Sequence, residues 1–401
     1  MKVFESFLLP LGIKIPHFTT VIRWCLRLGL SLLSNITNDC KKWICIFDHT
    51  IQVGRKKAFV VLKVPLSKMA KALILSDVEI LHIEIRERWN GDIVEEVLDE
   101  VFLKFGHPFQ IIMDGGSDLK KGIKNLLASR KLPIKVTLDL THFIANLLKN
   151  KYQTNPIFKR FMTTLAFARS KVIQTSLSYI MPPQQRSKSR FLNLPELAKW
   201  SQHMLLFIKN ENLPEYDKIK EIFGWVLDYE IFLKKFCKEI ELLQNFQAIL
   251  KKFGLNHDSY NDAKNCIDHI EDESLSCSIQ SYLEKEYEFF KKTNVSVLIT
   301  SDIIESLFGK YKQFAKPHCL SEVNRLILLL PCICNKIAPE IIKKNFEQVN
   351  TNNVNDWIKN HASNTLLSKR RKVFNQKKEG GFSGHKSAGH ASVKSLLFAT
   401  P

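Results

Sequence analysis

The stretch from Trp43 to Val64, WICIFDHTIQVGRKKAFVVLKV, constrains the fold more than any other. The apolar residues Trp43, Ile44, Cys45, Ile46 and Phe47 run without a break into Asp48, and the polar His49, Thr50 and Gln52 follow. A second β-rich run, Ala58 to Val64, comes after a turn at Gly54-Arg55-Lys56-Lys57. The pattern predicts a strand covered on both faces, a short turn and a partner strand. Asp48 is then a charge at the middle or end of a dry strand, and a buried carboxylate without a positive partner is costly. The plainer alternative is an aspartate that caps a turn. If the strand continues, His49 points to the face opposite Asp48.

The flanking chain divides by pattern. In residues 1–42, Pro16 and Thr19 open a helix whose Val21, Trp24, Cys25 and Leu28 share one face, with Arg23 and Arg27 on the other and Gly29 as a stop. Those arginines can meet phosphate, as in the second helix of a helix-turn-helix, or simply be solvated. In residues 43–145 the strand pair is followed by an alternating strand, Asp77 to Arg86, and a helix carrying Ile93, Val97, Val101 and Phe105. Phe109 to Met113 is a short buried strand that ends at Asp114. Gly115 and Gly116 allow a tight turn, and Ser117 or Asp118 caps the next helix. Ile134 to Leu140 is a further strand, with a helix after it. Three strands, helix, strand, helix, strand is the order of a ribonuclease-H-like α/β sheet. The expected fold is therefore α/β: a ribonuclease-H-like mixed sheet flanked by helices and interrupted by an all-helical insertion.

That insertion spans residues 146–297, where helical periodicity is frequent and a basic loop, QQRSKSR, follows Pro182-Pro183. Residues 298–348 return helices to the sheet. Thr300 or Ser301 caps a helix from Asp302, and Leu320 to Ile342 reads as one long apolar helix around Pro331. Residues 349–401 form a basic tail, rich in glycine and serine from Leu367 to Lys394, expected to be disordered. It is either a DNA-fastening arm or a solvated tail.

Charge narrows the partners. The chain carries a formal charge of +19 with 45% hydrophobic residues, a folded protein suited to a polyanion, most simply nucleic acid. No uninterrupted apolar run of about 18 residues supports a membrane span, and Glu5 and Pro10 make the N-terminus a poor signal peptide. The nine cysteines are scattered without CxxC pairs, a reduced intracellular pattern rather than a disulfide frame or zinc ribbon. A cytoplasmic, nucleoid-associated bacterial protein is expected.

Three acids stand out by position. Asp48 lies on the first strand, Asp114 at the end of the fourth, and Glu305 on the helix after the insertion. In a ribonuclease-H-like sheet the first and fourth strands are neighbours, so these carboxylates can meet. Crowded carboxylates repel unless cations neutralise them, and hard oxygen ligands suit Mg²⁺ or Mn²⁺. Two such ions clamp the attacking and leaving oxygens of an in-line phosphoryl displacement.

Here the chain resembles a family. FDHTIQVG, IIMDGGSDLKKGI, LDLTHF and SDIIESLFGKYK look like successive blocks of DDE transposases with a ribonuclease-H-like catalytic core, including the Mutator-like and hAT-like groups. The resemblance implies Asp48, Asp114 and Glu305 as the catalytic, metal-binding acids. Asp139 and His142 match that family's Cys-or-Asp, two residues, His signature; His142 would brace the active-site side of the sheet, with Asp139 as its structural partner. Lys310 and Lys312 follow Glu305, the second at the spacing of a DNA-contacting base in related recombinases. It further implies about two Mg²⁺ or Mn²⁺ ions, double-stranded DNA at element ends and target as partner, and a homo-oligomer on DNA. The helical insertion also fits, and Trp200 or Trp225 would stabilise a flipped base there unless each is core.

Asp118 competes with Asp114 but reads as a cap, and Asp302 competes with Glu305 for the same reason. The resulting expectation is a bacterial insertion-sequence type transposase, which cuts element ends and transfers the 3′-hydroxyl to target DNA. Its rivals are a catalytically inactive, truncated remnant that only binds DNA, and a structure-specific nuclease on the same fold.

Overall fold

The computed structural model describes residues 16–36, 42–53, 56–69, 72–184, 191–315, 322–363 and 365–379. Outside them lie the N-terminal fifteen residues, the Gly54-Arg55 turn, nearly all of the QQRSKSR loop and the end of the basic tail. Five strands are described: β1 (Trp43–Val53), β2 (Lys56–Pro65), β3 (Glu79–Arg86), β4 (Gln110–Met113) and β5 (Lys135–Leu138). They form one sheet in the order β3-β2-β1-β4-β5. β1–β2 and β2–β3 are antiparallel, while β1–β4 and β4–β5 are parallel. This is a mixed α/β sheet, consistent with the expected ribonuclease-H-like arrangement.

Strand alternation sorts the core. Ile44, Ile46, Val60, Leu62 and Ile112 face one side, where they meet Ile304, Leu307 and Tyr311. Trp43, Cys45, Phe47, Phe59, Val61 and Ile111 face the other, against Val94, Leu98, Leu119 and Ile123. Each such fully buried side chain contributes about 1.5–3 kcal/mol relative to exposure, which is why the central strand tolerates so little polarity. The second layer is α2 (Gly91–Phe105) and α3 (Ser117–Ser129); the first is α11 (Asp302–Ala315) with α12 (Leu330–Cys334).

Between β5 and α11 the described chain is helical. The principal helices are α4 (Leu140–Tyr152), α5 (Pro156–Val172), α6 (Leu194–Phe207), α7 (Tyr216–Phe223), α8 (Glu230–Phe253), α9 (His257–Asp268) and α10 (Glu273–Thr293). They share their own core around Phe161, Phe223, Phe236 and Phe246. Trp200 and Trp225 pack against it half-buried, and each indole N–H donates to a carbonyl, of Ile180 and Ile222 respectively.

Several expectations at the two ends are corrected. The first helix, α1 (Phe18–Ser34), runs through Gly29 instead of stopping there. A methyl at Gly29 would lie 1.6 Å from the Leu328 carbonyl oxygen, so the glycine serves close packing of two backbones. The buried face of α1 is Leu26, Leu28, Gly29, Leu30 and Ser31, while Val21 and Trp24 are exposed. The single helix expected over Leu320–Ile342 is broken into a 3₁₀ turn (Arg325–Leu329), α12 and α13 (Pro339–Gln348). Pro331 and Pro339 sit in the first turns of α12 and α13, where the missing N–H costs nothing. The supposedly disordered tail begins as helices, α14 (Thr351–His361) and α15 (Leu366–Glu379). Asn350 caps α14, and Val354 and Ala362 are buried.

Candidate active site

The sheet register brings the first two acids together. Ile46 pairs with Ile112 in the parallel β1–β4 ladder. Asp48 and Asp114 each lie two residues further on, so they stand side by side and share the face covered by α11. Asp48 Oδ1 accepts a hydrogen bond from the His49 backbone N–H at 2.6 Å. Asp114 Oδ1 accepts from the Gly116 N–H at 2.8 Å, which closes the glycine turn into α3.

Glu305 comes from the first turn of α11 and meets His142 of α4, with Nε2 and Oε1 3.0 Å apart. The electrostatics tie the four groups into one site. Burial, then Asp114, then Glu305 push the Asp48 carboxyl up to about 8, against the opposing pull of the His49 N–H and of His142. The bond to Glu305 raises His142 to about 9, helped by Asp139 and Asp114 and opposed by burial.

Asp139 holds a different place. It caps α4 by accepting from the His142 N–H at 2.8 Å, and its other oxygen takes the Ser301 N–H at 2.6 Å and hydroxyl at 2.9 Å. Its backbone N–H donates to the Met113 carbonyl. One residue thus joins the end of β4, through its backbone, to the start of α4 and the entry to α11, through its side chain. Burial pushes this carboxyl up, while the Ser301 and His142 hydrogen bonds resist.

The competing acids are engaged elsewhere. Asp302 pairs with Lys251 of α8 at 2.7 Å. Asp118 takes His49 Nε2 at 2.8 Å, on the opposite face of β1 from Asp48. This His49–Asp118 contact has a partial signal in the sequence: alternation turns His49 away from Asp48, but nothing in the pattern names its partner. Among the DNA-facing residues expected, Arg23, Lys310 and Lys312 are exposed. Arg27 is corrected: its guanidinium donates to the Val349 and Phe346 carbonyls, each at 2.8 Å, and lies over the Phe346 ring. It fastens α1 to α13 instead of facing phosphate.

The donor set of Asp48, Asp114 and Glu305 has the chemistry of a hard-cation site, with carboxylate oxygens and no sulfur. The upward push on the Asp48 carboxyl, from burial first and the neighbouring acids next, is what a carboxylate set among like charges without a counter-charge experiences. Among the described residues, however, no three His, Cys, Asp or Glu side chains are arranged to hold one ion. Each of the three acids has one oxygen turned to a local partner: the His49 N–H, the Gly116 N–H and the His142 ring.

A scan against protein-family models finds no match, and neither does a search of curated proteins. Among solved structures, the chain is similar to one titled "Drosophila P element transposase strand transfer complex", with a TM-score of 0.42 and 16% identity over 85% of this chain and 90% of that one. The likeness is distant. No described helix is long and apolar enough to cross a membrane.

Proposed function

We propose that this chain is a DDE-type DNA transposase that cuts DNA at element ends and joins the freed 3′-hydroxyl to target DNA, using Mg²⁺ or Mn²⁺. One observation carries the reading: Asp114, at the end of β4, and Glu305, on α11, both bear on the Asp48 carboxyl of β1, which burial first and these two acids after it push up to about 8. Such frustration is typical of sites that await a ligand. These three residues would hold the cations. When bound, the ions supply charge neutralisation and Lewis acidity at the scissile phosphate.

The chain's own residues do the positioning. The sheet register sets Asp48 beside Asp114. His142 holds Glu305 from the far side, and Asp139 fixes the helix from which His142 projects. Lys310, Lys312 and Arg23 are free to meet backbone phosphates, whose attraction is sequence-independent and weakened by salt. Two element ends need two such sites, so a homo-oligomer on DNA belongs to the reading.

A second reading, an inactive DNA-binding remnant, is favoured by the absence of a ready three-acid cation site among the described residues. The test uses duplexes carrying the DNA that flanks the coding region, incubated with Mg²⁺ and wild type or Asp114→Asn. A transposase gives cut and joined products that the variant does not. Cut DNA without joined product identifies a nuclease, and binding without cutting identifies the remnant.

A further inference from the structure

The ladder between β1 and β4 ends at Ile46 and Ile112, short of the acids. The register sets the two acids side by side, but among the described residues no β1–β4 pair lies at the level of Asp48 and Asp114 themselves. One side-chain bond crosses just beyond: His49 Nε2 to Asp118 Oδ2, at 2.8 Å. His49 follows Asp48 in β1, and Asp118 sits in the first turn of α3, directly behind the Asp114-Gly115-Gly116 turn.

The histidine is rigidly seated. Its side chain is 11% exposed, with ring centroids 5.3 Å from Phe59 and 4.9 Å from Trp89. Trp89 is itself anchored by its indole N–H on the Lys57 carbonyl at 3.3 Å. His49 Nδ1 is buried without a hydrogen-bond partner among the described residues. An unpaired buried polar atom costs about 1–3 kcal/mol, and leucine would fill the same slot without it. What the imidazole adds is the bond to Asp118.

We infer that His49 and Asp118 are a positioning pair that fixes the separation of Asp48 and Asp114, and so makes the site select Mg²⁺ over larger cations. This rests on the reading that those acids hold cations. Mg²⁺ requires near-ideal octahedral geometry at about 2.0–2.1 Å, whereas Ca²⁺ accepts longer and irregular ligand sets. A loosened spacing therefore penalises Mg²⁺ first. Residues behind metal ligands commonly set affinity by about 10–100-fold.

The test is calorimetric titration of the full chain with MgCl₂ and with CaCl₂, for wild type, Asp114→Asn, His49→Leu, His49→Gln and Asp118→Ala. Glutamine carries an amide nitrogen near the position of Nε2 and can still donate to Asp118. His49→Leu and Asp118→Ala should weaken Mg²⁺ about 10–100-fold with Ca²⁺ changed less than about threefold, and His49→Gln should restore Mg²⁺ binding. The pairing is overturned if His49→Leu matches wild type for both ions while Asp114→Asn abolishes binding, a result that leaves the proposed function standing. Equal loss of both ions without rescue by glutamine also overturns it, since packing alone does that. If wild type takes up neither ion, both this inference and the cation reading fall. Should His49→Leu not fold, Asp118→Ala decides, because Asp118 is on the surface side of the bond.

Discussion

Asp48, half-buried in the middle of β1, and Asp139, buried just past the end of β5, are both aspartates set into the sheet, yet their surroundings differ in kind. Asp139 receives three hydrogen bonds, from the His142 N–H and from the N–H and hydroxyl of Ser301. Among the described residues Asp48 receives one, from the backbone of its own neighbour, and two further acids bear on it. Burial raises both carboxyls, but only at Asp48 do neighbouring acids raise it further. A satisfied buried charge holds structure together; an unsatisfied one beside like charges weakens the fold and marks a place where something else binds. The lesson is that desolvation alone does not tell a satisfied acid from a frustrated one. The count of donors does.

The sharpest way to break this comparison is to neutralise each acid in turn. Asp114→Asn or Glu305→Gln should lower metal-dependent DNA cutting by at least about 1,000-fold while the melting temperature stays level or rises. Asp139→Ala should do the reverse in emphasis, costing about 2–4 kcal/mol of stability by stranding buried donors, read by urea unfolding. An Asp139→Ala protein as stable as wild type would erase the distinction drawn here.

Much of this contrast was legible in the sequence. An unbroken apolar strand running into Asp48, and the short run ending at Asp114 before two glycines, fixed the strands and placed the acids, because strand alternation and turn chemistry are local signals. The ends were not legible. Arg27 reads as a solvated cation until the Val349 and Phe346 carbonyls, over three hundred residues away, are seen to hold it. Gly29 reads as a helix stop because the alternative, close approach of the Leu328 carbonyl, is a tertiary fact. The helix α14 reads as tail because Thr351–His361 is polar apart from Val354, Trp357 and Ile358, too few apolar residues to declare themselves without the surface they cover. The His49–Asp118 bond is of the same class: its two halves are visible and their meeting is not.

A smaller effect sharpens the comparison from the side of stability. Folding raises the Asp48 pKa from the ordinary 3.8 to about 8, so the native state holds this proton more tightly than the unfolded chain. Stability then falls as pH rises between those values. Asp48→Asn removes the titrating group, so it should stabilise the metal-free protein at pH 8 by about 1–3 kcal/mol and flatten that part of the pH profile. Mg²⁺ should raise the melting temperature of wild type but not of this variant. A variant less stable than wild type at pH 8 would mean that Asp48, like Asp139, is structural.

The smallest expected effect concerns the bond that joins the two kinds of acid, since His142 touches Glu305 through its ring and Asp139 through its backbone. Folding raises its pKa from 6.5 to about 9. The imidazolium form is therefore favoured by folding, its contribution is complete below pH 6.5, and it is lost as pH rises through 9. Glu305 is 46% exposed, so solvent limits the pair to about 1 kcal/mol or less. Glu305→Gln should remove most of this slope between pH 6.5 and 9 and leave the steeper fall from Asp48 at lower pH in place. Nuclear magnetic resonance titration of the His142 ring checks it directly: an apparent pKa that does not drop in Glu305→Gln would assign the shift to Asp139, and with it would move His142 from the functional side of the rim to the structural one.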